Sequence, residues 1–146
     1  MPRKAKARLL YSTISTSERI AELGAKGALI YTWLLTHCDD QGRYAGSARK
    51  VKAEVVPFID EVTAGDVEKA LKDMDKAKLI KRYAEGNTQL IQILDWWEFQ
   101  SGLRVRYESR YPAPEGWTDK IKLPPEQHRD VMGKFQLLDT ETGELR

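Results

Sequence analysis

An α+β fold, with helices gathered over a small antiparallel sheet, is expected of these 146 residues on three grounds. The first is periodicity. Val67, Ala70, Leu71 and Met74 recur at i, i+3, i+4 and i+7, so they share one face of a helix. The second is the change of period after Leu79. Residues 80–84 and 88–94 read as strands, and Glu85-Gly86-Asn87 between them supplies the positive-φ residues of a tight hairpin. The third is the start signal, Thr63 with Asp66 three residues on, a capping-box-like pattern. A helix that runs into a two-stranded wing is the second half of a winged helix-turn-helix. Such a module usually lays its helix in a DNA groove and its hairpin on the backbone.

The remaining elements follow in chain order. Residues 1–10 form a basic arm (Arg3, Lys4, Lys6, Arg8), expected to be mobile unless an anion orders it. Ser15 with Glu18 reads as a second capping box, opening a short helix that Gly24 breaks. A longer helix is expected over 25–38, with Ala28, Tyr31, Leu34, Leu35 and Cys38 on one stripe. Asp39-Asp40-Gln41-Gly42 is a turn, and Arg43-Tyr44-Ala45 a short strand at the edge of the wing sheet. Ser47 caps a helix over 48–56 that buries Ala48, Val51 and Val55 and stops at Pro57. The connection 58–62 exceeds the three- or four-residue turn of a minimal helix-turn-helix. Trp96 or Trp97 plugs the hairpin against the helices. On a strand the two face opposite ways, which leaves the other for a dimer contact or for the C-terminal extension. The expected core is Leu34, Leu35, Val51, Val55, Val67, Leu71, Met74, Leu79, Ile91 and Ile93. The chain thus divides into an arm (1–10), a winged helix-turn-helix domain (11–100) and a Pro-containing extension (101–146), partly ordered, with a short helix over 126–135.

Composition narrows the class. Charged residues make up 32% and apolar residues 41%, the balance of a globular chain. No apolar run is long enough to span a bilayer, and no signal-peptide core follows the basic N-terminus. The single Cys38 excludes an internal disulfide and fits a reducing cytoplasm. A net charge of +2 permits polyanion binding without demanding it. Placement is more telling: bases crowd the arm, the 48–56 helix (Arg49, Lys50, Lys52) and the segment after the wing (Arg104, Arg106, Arg110).

Several strings, taken together, carry a family likeness. They are LIYTWLLTHCDDQGRYAG, RKVKAEVVPFIDEVTAGDVEKALKDMDKAKLIKRY, LIQILDWWEFQ and ESRYPAPEGW. In this order they resemble bacteriophage and prophage winged-helix proteins related to the N-terminal domains of phage replisome organisers and DnaD-type primosomal replication proteins. The likeness covers about residues 11–116. It implies a DNA-linked role in phage replication or its control, inside a bacterial cell, often with self-association. Replisome organisers normally add a second helical domain, and nothing after Trp117 is long or periodic enough to be one.

The expected function is therefore non-enzymatic DNA binding in replication initiation or its regulation, on double-stranded DNA, with single-stranded DNA as the alternative substrate. The N-terminal half of the Thr63 helix approaches the major groove. Arg49, Lys50, Lys52, Lys69 and Lys72 meet phosphates, Lys81, Arg82 and Asn87 bring the wing to the backbone, and Arg3, Lys4, Lys6 and Arg8 are candidates for a minor groove. Against this stand Asp66, Glu68, Asp73 and Asp75, which offset Lys69, Lys72, Lys76 and Lys78 on the same helix. Glu68 with Lys72 and Lys69 with Asp73 are spaced as i, i+4 ion pairs. The alternative is a protein-interaction winged helix that meets a replication partner or a second copy. Arg104, Arg106 and Arg110 interleave with Tyr107 and Tyr111, as suits single-stranded nucleic acid. The reading adopted for them is a strap, Tyr rings packed on the domain and Arg side chains in water. His37, Cys38, Asp39 and Asp40 are consecutive, not spaced to converge on a metal. No phosphate loop, nucleophile elbow or paired-His helix occurs, so no enzyme, cofactor or metal is expected.

Overall fold

In the computed structural model, which describes residues 7–102, 105–123 and 136–137, the chain is α+β. A 3-10 turn, Ser12–Thr16, leads into α1 (Glu18–Ala21), and α2 (Gly24–Leu34) tightens into a second 3-10 turn, Leu35–His37. Then come β1 (Arg43–Ala45), α3 (Ala48–Val55), α4 (Ala64–Lys76), β2 (Ile80–Glu85), β3 (Thr88–Ile93) and α5 (Trp96–Phe99). β4 (Lys120–Ile121) and β5 (Gln136–Leu137) pair in parallel as a separate ribbon. The main sheet is antiparallel in the order β1-β3-β2. Its hairpin pairs Ile80 with Ile93 through Glu85 with Thr88, and β1 forms the edge, as expected. Gly86 and Asn87 make the turn, and only Gly86 (φ +57) takes the left-handed conformation.

The start of α4 forms as its residues dictate. The Thr63 hydroxyl accepts from the Asp66 amide at 3.1 Å while the Asp66 carboxylate accepts from the Thr63 amide at 2.9 Å. Ser47 caps α3 through the Lys50 amide. At the other end of α4, Lys78 (φ +60) reverses the chain and the Leu79 amide returns to the Met74 carbonyl at 2.9 Å. Two helix expectations need correction. The Ser15–Glu18 box does not form, because residues 12–16 wind as a 3-10 turn and Ser17 becomes the cap. The 25–38 helix ends at Leu34, because the Asp39 carboxylate draws in the Gln41 and Arg43 amides and pulls the chain into its turn. Its buried stripe runs through Gly27, Ile30, Tyr31 and Leu34, with Ala28 half-buried.

All ten expected core residues are buried, in a cluster shared by α2, α3, α4 and the inner face of the sheet. Trp96 (1% exposed) belongs to it. The two tryptophans lie on a helical turn, not on a strand, so about 100° rather than 180° separates them and both meet protein. Trp97 packs on Trp117, ring centroids 6.1 Å apart. The long 56–62 connection is organised by the Lys52 ammonium, which donates to the Val56 and Ile59 carbonyls at 2.9 and 2.8 Å.

Residues 105–123 cover the outer face of the sheet. Strand alternation puts Arg43, Leu90, Gln92 and Tyr83 on that face, and the first three are buried. Gln41 donates to the Tyr107 and Lys120 carbonyls, Arg43 pairs with Asp119 and donates to the Tyr111 carbonyl, and Tyr83 donates to the Pro112 carbonyl. Ser109 and the Tyr107 amide bond to Asp39 and Asp40. The strap expectation holds for Arg110, which is exposed, and Tyr111, which is half-buried, but is reversed at Arg106 and Tyr107. Arg106 is buried (4% exposed) over the Trp97 ring and donates to the Gln100 carbonyl, whereas Tyr107 is half exposed. A guanidinium spreads its charge over a flat, weakly hydrated plane, which lets it stack on an indole. Arg104 and the 126–135 helix lie outside the described residues. Among the described residues no helix is long and apolar enough to cross a membrane.

Candidate nucleic-acid interface

The outward face of α4 follows from its burial pattern. At 100° per residue, Lys69, Lys72 and Lys76 fall in one row, directly opposite Val67, Leu71 and Met74. Lys76, which was not among the expected contacts, completes the row, and its position four residues after Lys72 is the sequence signal that marks it. All three lysines are exposed. Glu68 and Asp75 flank the row on one side, Asp66 and Asp73 on the other.

Three of those four acids are already paired. Arg82 on β2 grips Glu68 with two hydrogen bonds, 2.6 and 3.1 Å, and these hold its carboxyl below the usual range. Asp66 is lowered first by the Thr63 amide of the cap and then by Lys26 of α2 at 3.1 Å. Asp73 takes Lys69 at 2.7 Å, the i, i+4 pair expected. The other expected pair does not form: Glu68 turns to Arg82, which leaves Lys72 without an ion pair among the described residues. Lys26, supplied by a different helix, had no local signal in the sequence.

The other candidate residues distribute unevenly. Arg49 is exposed on α3 and makes no ion pair among the described residues. Lys50 lies over the Tyr44 ring and donates to the Ala45 carbonyl at 2.6 Å, and Lys52 is spent on the carbonyls after α3. The Thr63 hydroxyl serves the cap. Arg82 points to α4, but Lys81, one residue earlier, points to the outer face with Gln92, so one ligand surface cannot use both. Asn87 is exposed at the hairpin tip.

The arm requires a correction at Arg8. Its side chain is 6% exposed, donates to the Cys38 carbonyl at 2.9 Å, pairs with Asp40 at 3.1 Å and lies over the Trp96 ring. A guanidinium held by three partners inside the protein is not available to a groove. Leu9 is fixed as well, exchanging both backbone bonds with the Gln100 side chain. Arg3, Lys4 and Lys6 lie outside the described residues. Asp39 and Asp40 are used up in the turn and strap, and among the described residues no His, Cys, Asp and Glu groups gather as metal ligands. The chain matches no family model, no curated protein and no solved structure.

Proposed function

We propose that the protein is a winged-helix DNA-binding protein that meets duplex DNA with the lysine row of α4. The observation that carries this reading is the row itself. Lys72 and Lys76 stand opposite the core beside Lys69, while Lys26, Lys69 and Arg82 pair with three of the four flanking carboxylates and leave Asp75 without an ion pair among the described residues. Unpaired acids beside a groove repel phosphate, and paired ones do so far less. The order of elements supports the reading too: a helix, a strand, two helices packed on each other and a hairpin, with the sheet ordered β1-β3-β2. Lysines that meet phosphates position a protein without reading bases. Binding is therefore modest, largely indifferent to sequence and steeply dependent on salt. The role that the family likeness implies is replication initiation or its regulation in phage or prophage, in a bacterial cytoplasm, without catalysis.

One observation favours a second reading, a protein-binding adaptor. Phe58, in the connection just before α4, is 93% exposed, and an isolated aromatic of that kind suits an anchor for a replication partner or a second copy. Fluorescence anisotropy with a labelled duplex at low salt, run beside light scattering, separates the two. Expected is DNA retention by the intact chain that falls when Lys69→Ala and Lys72→Ala are combined. A stable oligomer that retains no DNA overturns the DNA reading and leaves the Phe58 surface.

A further inference from the structure

Away from α4, a cavity of about 80 Å³ lies between the N-terminal segment, α2 and the α5 turn and opens to the surface. Ile14, Ile20, Leu35 and Ile93 supply aliphatic walls, and the Tyr11 and Phe99 rings, edge to face at 5.8 Å, line it as well. One water needs only about 10–15 Å³ on this measure, so the space is several waters wide. A stable water also needs two to four polar partners; of the polar side chains in the lining, Ser17 and Gln100 are already bonded to the Ile20 amide and the Leu9 backbone, and Thr13, Arg19 and Asp95 are exposed to solvent.

The exception is Tyr31. The residue is 6% exposed, so nearly all of it is buried, yet its hydroxyl has no hydrogen-bond partner among the described residues. Nor is that oxygen sealed off, since it is absent from the unpartnered atoms that are fully enclosed, Arg8 Nε, Trp97 Nε1, Arg106 Nε and Trp117 Nε1. Tyr31 is one of the residues that line the cavity. Burial pushes this phenol up to about 12, so it stays protonated and is a donor. At the rim, Arg19 and Asp95 are joined at 3.2 Å, and Arg19 also donates to the Ala77 and Lys78 carbonyls at the end of α4. The rim thus carries no net charge, and a charged guest would be stripped of water without a counter-charge inside.

We propose that this cavity is a binding site for a small uncharged aromatic molecule with one hydrogen-bond acceptor. Its ring lies against Tyr11 and Phe99 and its acceptor meets the Tyr31 hydroxyl. Aromatic pairs favour edge-to-face contact, and a buried donor without a partner gains a hydrogen bond that an apolar guest cannot give. Leu79 and Ile93, which frame the base of the hairpin, also line the site, so a guest stands next to the wing. The inference is independent of DNA binding, because occupancy is read directly.

The test uses two probes of one shape, acetophenone with a carbonyl and ethylbenzene without. The intact protein is titrated with each while the Ile and Leu methyl signals are followed by NMR. Expected are shifts at Ile14, Ile20, Leu35 and Ile93 with both probes, and roughly two- to tenfold tighter binding of acetophenone. Tyr31→Phe, which removes no existing hydrogen bond, keeps the urea midpoint and brings the two affinities together. Ile14→Trp, at the partly exposed lip, blocks both. Signals unmoved by either probe at millimolar concentration overturn the proposal, as does equal affinity of the two probes for the wild-type chain.

Discussion

The lysine row of α4 makes a quantitative demand on DNA binding. Lys69, Lys72 and Lys76 occupy one stripe, and seven residues at 1.5 Å each place the outer two roughly 10 Å apart along the axis. If all three meet phosphates, with Lys69 exchanging its exposed pair with Asp73 for one, the logarithm of affinity falls with the logarithm of salt at a slope of about −2.7. Raising salt from 50 to 200 mM then weakens binding roughly 40-fold. Lys72→Ala with Lys76→Ala leaves about one contact, a slope of about −0.9 and a loss of only about 3- to 4-fold over the same range. Lys50→Ala and Lys52→Ala are the controls. Both residues are basic and both were candidates, but their ammonium groups are committed to the Ala45, Val56 and Ile59 carbonyls. They should leave the slope near −2.7, although Lys52→Ala loosens the connection into α4. The assay is anisotropy with a labelled duplex at five or more salt concentrations. A double variant with the wild-type slope, or a control that lowers the slope as much as the double variant does, refutes the assignment of this face.

Gly42 (φ +80) lies where an added Cβ would stand 2.6 Å from the Trp96 ring, whereas at Gly86 (φ +57) it would meet nothing within 4 Å. Gly42→Ala should therefore cost about 2–5 kcal/mol in urea unfolding and Gly86→Ala only about 1–2, the left-handed penalty alone; equal costs would remove Trp96 from the argument. The Arg43 side chain is fully buried against Asp119. Asp119→Ala strands that charge and should cost about 3–5 kcal/mol by the same assay, and Arg43→Met combined with Asp119→Leu should recover much of it. Glu68 and Asp66 both titrate below their ordinary 4.5 and 3.8 in the folded protein. Their contribution is complete above those values and is lost as pH falls through the lowered ones. Urea midpoints should thus drop on acidification below about pH 4.5, and less so in Glu68→Gln with Asp66→Asn; a wild-type midpoint that stays flat from pH 6 to 3 contradicts the pairing.

What was legible in the residues was what neighbours in sequence decide. The α4 face, its capping box, the β2-β3 hairpin and the Ser47 cap depend on partners within a few positions, and each forms as expected, except that Glu85 pairs with Thr88 and the hairpin turn shortens from residues 85–87 to Gly86-Asn87. The strap was not legible, because Gln41 reaches residues 66 and 79 positions away to hold it. Nothing local distinguishes that Gln from any other turn residue. The buried Arg106 escaped for a different reason: an Arg beside Arg104 and Tyr107 reads as solvated until the α5 turn brings Trp97 under it as the plane it stacks on.

The candidate interface is where the two kinds of information meet. Counted along the helix, Asp66, Glu68, Asp73 and Asp75 offset Lys69, Lys72, Lys76 and Lys78, and the face looks neutral. In the fold, Lys26 arrives from 40 positions upstream and Arg82 from 14 downstream to take up two of those acids, and Lys69 takes a third. Potential at a surface depends on which charges lie within about a Debye length of it, not on the sum along the chain that carries them. A helix balanced in sequence thereby becomes a basic row in space. Reversing the outside partners makes the point testable within the same binding assay: Lys26→Glu with Arg82→Glu touches no residue of the row, yet it should weaken duplex binding. Unchanged affinity in that variant would mean that the flanking acids never mattered.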